Sequence, residues 1–343
     1  MFDGLLVDCF GFVTNGREGK FELDSLMNFL RLSHTYFTIV VNSSDPSTYV
    51  QSPFDRTWLQ AVNKTLEVVA NMSRSLDEQH LEPSYKFQRS TYVPSDTLLQ
   101  FGLGPPSKAC GLVRSPFRAS DDATNLPLNI PENALAVVAL RGIAEMCSYG
   151  SKIVITCDDV GDIAASFASV IDAAIYAHGI STNSRFPGVL AYEVDCFGNQ
   201  VCLHCTCACI HAYRTVQLHL LSACFTVLMS CCPPFQLFFD DANSPSLLSL
   251  PYIGWIDNQN PLYRATRNLI LGDSNPFFFR GSAGEGIGSP HVPWRFVWPM
   301  SITMRALTSS SDDEIIQCLM TLRDTTAGNS GSYVIGLELL KSI

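Results

Sequence analysis

One loop of the sequence carries the residue types that acid–base chemistry needs. The segment SPFRASDDATNLPLNIP (115–131) places Arg118 just ahead of Asp121 and Asp122. A carboxyl group whose pKa is set by a neighbouring carboxylate and an arginine can act as a general acid. The same pattern also fits a helix N-cap followed by a solvent-exposed acid. The spacing alone therefore leaves two interpretations, a catalytic carboxyl group and a cap.

A second loop, DDANSPSLLSLP (240–251), contains Asp240, Asp241 and Asn243. The two carboxylates could bind a hard cation such as Ca²⁺. A calcium site takes roughly six to eight oxygen ligands, however, and this short segment provides fewer. Side chains of these types also form hydrogen bonds with the hydroxyl groups of sugars, so both kinds of ligand remain open.

A third loop, FRGSAGEGIGSPHVP (279–293), places Glu285 and His291 among several glycines. Its spacing differs from the dinucleotide-binding fingerprint, and no strand is predicted ahead of it. Glycines still allow the main chain to approach a ligand closely. A single histidine in such a loop fits a structural role as well as a binding one.

The segments between these loops have the periodicity of helices. Residues 55–77 carry apolar side chains at steps of three and four, and 131–147 are almost wholly apolar, as in a buried helix. Residues 158–178 begin with acidic side chains, which favour a helix N-terminus. Two more helices are predicted at 293–308 and at 312–323, the second with SDDE as a capping signal.

Composition excludes some classes of protein. The formal net charge of −10, with no basic face carrying interleaved aromatic residues, argues against a nucleic-acid-binding protein. The first twenty residues show no readable signal peptide. Three N-x-S/T sequons occur at Asn42, Asn63 and Asn71, which matter only for a chain that enters a secretory compartment.

Cysteine is concentrated in one region. Seven of the thirteen cysteines lie within residues 202–232, four of them in CLHCTCAC (202–209). A zinc site there lacks a second half-site at ordinary spacing. The apolar stretch 215–235 has an uninterrupted part of about 15 residues, short of the roughly 20 that span a membrane, so a membrane span is not expected. The other six cysteines are predicted to be buried thiols rather than a disulfide framework.

Several segments together resemble glycoside hydrolase family 125, a family of exo-acting α-1,6-mannosidases. The longest are SPFRASDDATNLPLNIPENALAVVAL, DDANSPSLLSLPYIGW and NPFFFRGSAGEGIGSPHVPWRFVWPMSITMRALTS. The segments EGKFELDSLMNFLRL (18–32) and SYKFQR (84–89) are similar to two further motifs of that family. The resemblance runs from about residue 18 to residue 328.

The resemblance implies an all-α fold, a single (α/α)₆ barrel over residues 1–343, whose loops converge on one rim to form a glycan pocket. It also implies hydrolysis of terminal α-1,6-linked mannose with inversion, with a mannose-terminated glycan as partner and with neither a metal nor another cofactor. Inversion requires one carboxylic acid to protonate the glycosidic oxygen and one carboxylate to activate water.

Site residues follow from the matching motifs. The S-D-D-A-T motif supplies the general acid, at Asp122 or Asp121, and the sequence does not choose between them. The other matching residues are expected to line or support the mannose pocket: Arg118, Asp240, Asp241, Asn243, Glu285, His291, Glu22, Asp24 and Trp298.

The chain departs from the family pattern near both ends, and the barrel is therefore expected to be incomplete. An upstream W-L-R-D-S-type segment is not found. Downstream, TTAGNSGSYVIGLELLKSI does not contain the expected Gly-x-x-His-Glu-Ser, whose glutamate is the general base, and residues 329–343 are interpreted as an aberrant tail. A hydrolase that is weakly active or inactive as written is therefore expected, and a non-catalytic remnant with a partial mannoside-binding pocket is the alternative.

Residues 201–236 have no counterpart in the family and are predicted to be an insertion. They separate YEVDCFGNQ from LFFDDAN, which the family joins directly. Gln200-Val201 can be encoded CAG-GTN and Pro234-Phe235-Gln236 can be encoded CCN-TTY-CAG, so a translated retained intron is the hypothesis. A membrane or metal-binding protein built around 202–236 is the remaining alternative.

Overall fold

Helices account for most of the regular structure. The computed structural model describes residues 19–41, 53–75, 85–149, 156–182, 186–197, 237–325 and 337–338. A 3₁₀ turn covers Pro94–Asp96, and a π-helical segment, Ile175–Gly179, directly continues the α-helix Asp158–Ala174. The predicted all-α class is confirmed. The α-helices of the described residues are α1 (Leu23–Val41), α2 (Arg56–Met72), α3 (Leu99–Gly102), α4 (Ile130–Ser148), α5 (Asp158–Ala174), α6 (Leu250–Ile253), α7 (Pro261–Ile270), α8 (Pro299–Leu307) and α9 (Asp312–Thr325).

Local capping signals fix where several predicted helices begin. The carboxylate of Asp55 accepts the N–H groups of Thr57 and Trp58 at the start of α2. The Ser311 hydroxyl accepts the N–H of Glu314 at 3.4 Å at the start of α9, as the SDDE signal predicts.

Other helix predictions differ from the structure. The predicted helix at 293–308 is shorter, because residues ahead of Pro299 form a loop and a two-residue strand. Helices α1 and α7 were not among the predicted helices, since no separate periodicity was assigned to those stretches.

Strands are short and form three antiparallel two-stranded sheets. These are β1 (Leu128–Asn129) with β2 (Glu193–Val194), β3 (Phe278–Gly281) with β4 (Gly284–Ile287), and β5 (Phe296–Val297) with β6 (Leu337–Glu338). The first sheet matters most for the site, because its register places Glu193 opposite Asn129, directly at the start of α4.

Helices α1, α4 and α5 form the centre of the core. Almost all of α4 is buried, which agrees with its nearly continuous apolar sequence. Close contact is possible because glycines face the neighbouring helices. A Cβ atom at Gly142 would lie 2.6 Å from Cγ of His34 on α1, and one at Gly161 would lie 2.8 Å from Cβ of Cys147 on α4. These helices would have to separate to admit any larger side chain.

Two disulfide bonds correct the prediction that the scattered cysteines are free thiols. Cys110 pairs with Cys196 and Cys147 pairs with Cys157, at sequence separations of 86 and 10. Cys318 is a buried free cysteine, as predicted. The pairs escaped sequence analysis because disulfide partners are set by distance in space, and Cys110 and Cys196 meet only through the tertiary fold.

The chain returns to the same place after the predicted insertion. Residues 201–236, including CLHCTCAC and the whole apolar stretch 215–235, lie outside the described residues. On either side of them, Glu193 and Leu237 form an antiparallel bridge, and the N–H of Tyr192 donates to the carbonyl of Leu237 at 3.3 Å. Asp240 and Asp241 therefore remain next to β2.

One helix among the described residues, Asp158–Gly179, is long and apolar enough to cross a membrane by length and composition. It comprises α5 and the π-helical segment, and it packs along α4 in the core, an arrangement that buried helices of globular domains also have.

Candidate active site

A tight turn separates the two adjacent aspartates of the first loop. The N–H of Arg118 donates to the carbonyl of Asp122 at 2.8 Å, and the N–H of Asp121 donates to the carbonyl of Arg118 at 2.9 Å. Asp121 has φ of 64°, a left-handed conformation that is uncommon outside glycine. Asp121 is consequently exposed, while Asp122 is buried. Neither aspartate caps α4, because Asn129 does so by accepting the N–H of Glu132.

Asp122 faces the glycine-rich loop. Its Oδ2 lies 3.3 Å from Nδ1 of His291, and this oxygen accepts no hydrogen bond from the described residues. The His291 ring stands edge-on to the indole of Trp298, with ring centroids 6.2 Å apart. The Nε1 donor of Trp298 is buried without a partner among the described residues. Asp122, His291 and Trp298 thus lie side by side and form one wall of the candidate site, in which Asp122 is buried and His291 is exposed.

Arg118 is held by a buried ion pair. Its Nε lies 2.5 Å from Oε1 of Glu193, and Oε2 of Glu193 accepts the N–H groups of Asn125 and Leu126, both at 3.0 Å. The guanidinium also lies over the ring of Phe239. Burial by itself would lower the pKa of Arg118, but the Glu193 carboxylate outweighs burial and raises it. Arg118 is therefore a permanently charged group whose Nη2 has no partner among the described residues.

The two aspartates of the DDAN segment, both buried, have different partners: Asp240 binds its own loop, and Asp241 binds the turn that carries Ser120. Both oxygens of Asp240 accept main-chain N–H groups, from Leu247 at 2.7 Å and Leu248 at 3.0 Å, and so hold their own loop closed. Asp241 accepts the Ser120 hydroxyl at 2.9 Å and the N–H of Asn243 at 3.1 Å. These oxygens are engaged by hydrogen-bond donors, which argues against the cation site that the sequence left open.

A cluster of acids lies on the other side of the turn. Burial raises the pKa of Glu22 to about 9, aided by the negative charge of Asp24 and by a hydrogen bond with Asp121. Burial likewise raises the pKa of Asp24 to about 6. Glu132, in the first turn of α4, is fully buried, and burial together with the charge of Asp24 raises its pKa well above the ordinary range. Glu22, with a pKa of about 9, is therefore protonated at neutral pH, and a protonated carboxyl group can donate one hydrogen bond.

Glu285 makes its contacts elsewhere. Its two oxygens pair with Arg280 and Arg305, each at 2.9 Å, and Arg305 pairs further with Glu314 at 2.7 Å. This network fastens the β3–β4 hairpin to α8 and α9. Glu285 therefore belongs to the framework in the described part of the chain, and the structure does not bring it to the wall formed by Asp122 and His291.

Two further carboxyl groups of the site were not among the predicted site residues. Glu193 lies in YEVDCFGNQ, a segment already matched to a family motif, so the signal was present. Glu132 lies in the apolar stretch PENALAVVAL, where a single acid inside a predicted buried helix was the available clue.

Unpaired polar atoms connect these groups into one site. A buried polar atom without a partner costs about 1–3 kcal/mol, so several at one place indicate a bound polar ligand or water. Sugar hydroxyls both donate and accept hydrogen bonds and can satisfy such a mixed set. Among the described residues the unpaired atoms of this site belong to Glu22, Asp24, Arg118, Asp122, Glu132 and Trp298.

Comparison with known families accounts for this arrangement. The family described as metal-independent alpha-mannosidase (GH125) matches residues 14–205 and 234–332, which is most of the chain. The chain belongs to glycoside hydrolase family 125. The predicted family resemblance is confirmed.

This family 125 chain is similar in sequence to a curated relative and in structure to a solved protein. It is 38% identical over 317 residues to the Meiotically up-regulated gene 157 protein of Schizosaccharomyces pombe (strain 972 / ATCC 24843), covering 91% of this chain and 53% of that protein. The chain thus spans about half the length of that relative.

A solved structure from Streptococcus pneumoniae, of a metal-independent α-mannosidase in a non-productive complex with α-1,6-mannobiose, is also similar. It superposes with a TM-score of 0.70 at 27% identity and covers 89% of this chain and 60% of that one. The predicted (α/α)₆ fold class is confirmed by this likeness.

Among the described residues, one further group has the spacing of metal ligands, namely Cys110, His178 and Cys196. Its two sulfur atoms are joined in a disulfide, so they are not thiolate ligands in this structure.

Proposed function

We propose that this family 125 chain contributes the acid-supplying and sugar-holding part of a glycoside hydrolase that removes terminal α-1,6-linked mannose from glycans. The observation that carries the proposal is the buried carboxyl group of Asp122, whose Oδ2 lies 3.3 Å from Nδ1 of His291 and accepts no hydrogen bond among the described residues. The family match supports glycosidase chemistry, and the mannobiose complex of the Streptococcus pneumoniae protein supports the linkage.

Asp122 is assigned as the general acid in preference to Asp121. A general acid must reach the glycosidic oxygen at about 2.6–3.2 Å from within a pocket that excludes water. Asp122 is buried beside His291, whereas Asp121 is exposed, and its carboxyl group is engaged with Glu22. Asp121 instead helps to keep Glu22 protonated.

The remaining groups hold the sugar. Arg118 and Trp298 offer unpaired donors, and Asp24 offers an unpaired acceptor. Oε1 of Glu22 adds an unpaired acceptor, and Asp241 with Asn243 forms the floor of the site next to Ser120. Mannose presents several hydroxyls over a small area, and each would replace the water that such atoms otherwise require.

Inversion also needs a carboxylate that activates water, roughly 6.5–9.5 Å from the acid. The motif expected to supply this base is not found in the printed sequence. The resemblance gives this role to the glutamate of a Gly-x-x-His-Glu-Ser motif, and a general base of this kind typically contributes a factor of about 10²–10⁴ to the rate.

The insertion hypothesis is part of the proposal. The family match omits residues 206–233, and the bridge between Glu193 and Leu237 supports a direct connection across 201–236. Alignment of transcript reads across codons 200–237 tests it. Spliced reads that join Gln200 to Leu237 are expected, and uniform coverage without any such read would overturn it.

The test of function compares four versions of the chain, with and without residues 201–236 and with and without the His-Glu-Ser segment. Each is assayed on α-1,6-mannobiose, with α-1,2- and α-1,3-mannobiose as matched controls, and the anomer first released is read by NMR. Cleavage confined to the α-1,6 linkage with inversion is expected. Binding of mannobiose without cleavage in every version would favour the non-catalytic alternative, and neither binding nor cleavage would overturn both.

A further inference from the structure

The two disulfide bonds bear on where the protein folds. Cys110–Cys196 joins the loop ahead of Arg118 to the end of β2, and Cys147–Cys157 joins α4 to the start of α5. Both pairs lie within or beside the core, so each is part of the folded structure. Such bonds form and persist in oxidising compartments and are rare where thiols are kept reduced. A chain that carries both is expected to fold in a secretory lumen.

In such a compartment an N-x-S/T sequon can be glycosylated. Two of them, Asn63-Lys64-Thr65 and Asn71-Met72-Ser73, lie on α2. Asn63 and Asn71 are both exposed. They are eight residues apart, and a rise of about 1.5 Å per residue places them about 12 Å apart on the same side of the helix.

The face of α2 that carries these asparagines is polar throughout. Its other exposed members include Gln60, Lys64 and Glu67, while the opposite face packs Trp58, Val62, Leu66 and Val69 into the core. A bulky hydrophilic group on Asn63 or Asn71 would therefore extend into solvent without displacing a core side chain.

From these observations we propose that Asn63 and Asn71 are N-glycosylation sites of a protein that folds in an oxidising secretory compartment. The donor would be an oligosaccharide carried on a lipid diphosphate. A bond forms between Nδ2 of asparagine and C1 of the first sugar. The C1–O bond to the diphosphate breaks, the lipid diphosphate leaves with the electron pair, and the amide gives up one proton.

The structure also indicates whether glycan transfer comes before or after folding of α2. The hydroxyl of Thr65 is fully buried and donates to the carbonyl of Ala61 at 3.0 Å, so the Asn63 sequon is inaccessible once α2 has packed. The Ser73 hydroxyl is only half-buried, at the C-terminal end of the helix. Glycan transfer to Asn63 must therefore precede folding, and Asn71 tolerates later transfer better.

The test uses the protein recovered from cells that express its complete gene. Treatment with peptide N-glycosidase in H₂¹⁸O converts a glycosylated asparagine to ¹⁸O-labelled aspartate, which mass spectrometry locates. Asn268, an exposed helical asparagine outside any sequon, is the matched control for spontaneous deamidation. Thiol labelling of the same sample before and after reduction reports the two disulfides.

We expect label at Asn63 and Asn71 but not at Asn268. Among the cysteines of the described residues, Cys110, Cys147, Cys157 and Cys196 should react only after reduction. Asn63→Gln and Asn71→Gln should each remove one glycan from the intact mass, whereas Thr65→Ser should retain it. Slowing of transfer relative to folding should lower occupancy at Asn63 more than at Asn71. Unlabelled Asn63 and Asn71 would overturn the proposal, whether or not the disulfides have formed.

Discussion

Nδ1 of His291 lies 3.3 Å from Oδ2 of Asp122, joining two loops that are far apart in the sequence. The contact brings the glycine-rich loop, the S-D-D-A-T turn and the indole of Trp298 to one wall of the site. Asp122 Oδ2 accepts no hydrogen bond among the described residues, and for that reason we propose it as the oxygen that carries the acid proton.

Asp122→Asn should remove the general acid while keeping the shape of the side chain. In the version of the chain that cleaves α-1,6-mannobiose fastest, kcat should fall by about 10²–10⁴. The kcat for an aryl α-mannoside whose leaving group needs no protonation should fall far less, and the Kd for mannobiose should change little. Asp121→Asn is the matched control, and a large loss of kcat there instead would move the acid to Asp121.

Glu193→Gln should destabilise the fold and not only the site. Loss of one partner from a buried ion pair typically costs about 3–5 kcal/mol, because the remaining charge is left uncompensated. The exposed pair of Lys64 with Glu67 provides the control, since Glu67→Gln should change the free energy of unfolding by less than about 1 kcal/mol. Urea unfolding monitored by circular dichroism measures both, and equal losses would contradict the assigned burial.

Stability should fall with pH because of Glu22. Its pKa is about 9 in the folded protein against an ordinary 4.5, so between these values the folded chain binds more protons than the unfolded chain. The contribution is therefore fully present below pH 4.5 and is lost as pH rises to about 9. Glu22→Gln should flatten the pH dependence of the free energy of unfolding over this range, whereas Glu67→Gln should leave it unchanged.

The two disulfides should differ in their effect on stability. Loop-closure entropy predicts about 4.6 kcal/mol for a sequence separation of 86 and about 2.7 kcal/mol for one of 10. Replacement of Cys110 and Cys196 by alanine should thus lower the free energy of unfolding more than replacement of Cys147 and Cys157. The Cys318→Ala variant controls for loss of a buried thiol, and an equal effect of the two pairs would contradict the entropic account.

Much of the helical structure could be predicted because its signals are local. Apolar periodicity marked α2, α4 and α5, and the caps at Asp55 and Ser311 lie within a few residues of the helices they begin. Most of the candidate site residues could be predicted from the family motifs, since Arg118, Asp122 and His291 fall within matched segments. The conformation of each residue within the site could not be read in this way.

Tertiary structure decided which of those residues meet. The left-handed conformation of Asp121 exposes that residue, whereas Asp122 is buried, and two consecutive aspartates in a sequence do not reveal which one is buried. Glu285 pairs with Arg280 of the adjacent strand and with Arg305 of α8, two partners that only the fold brings next to it. The sequence by itself determined the family, several of the helices and the candidate side chains. Their pairing, burial and protonation depended on long-range contacts, because desolvation and charge act through space rather than along the chain.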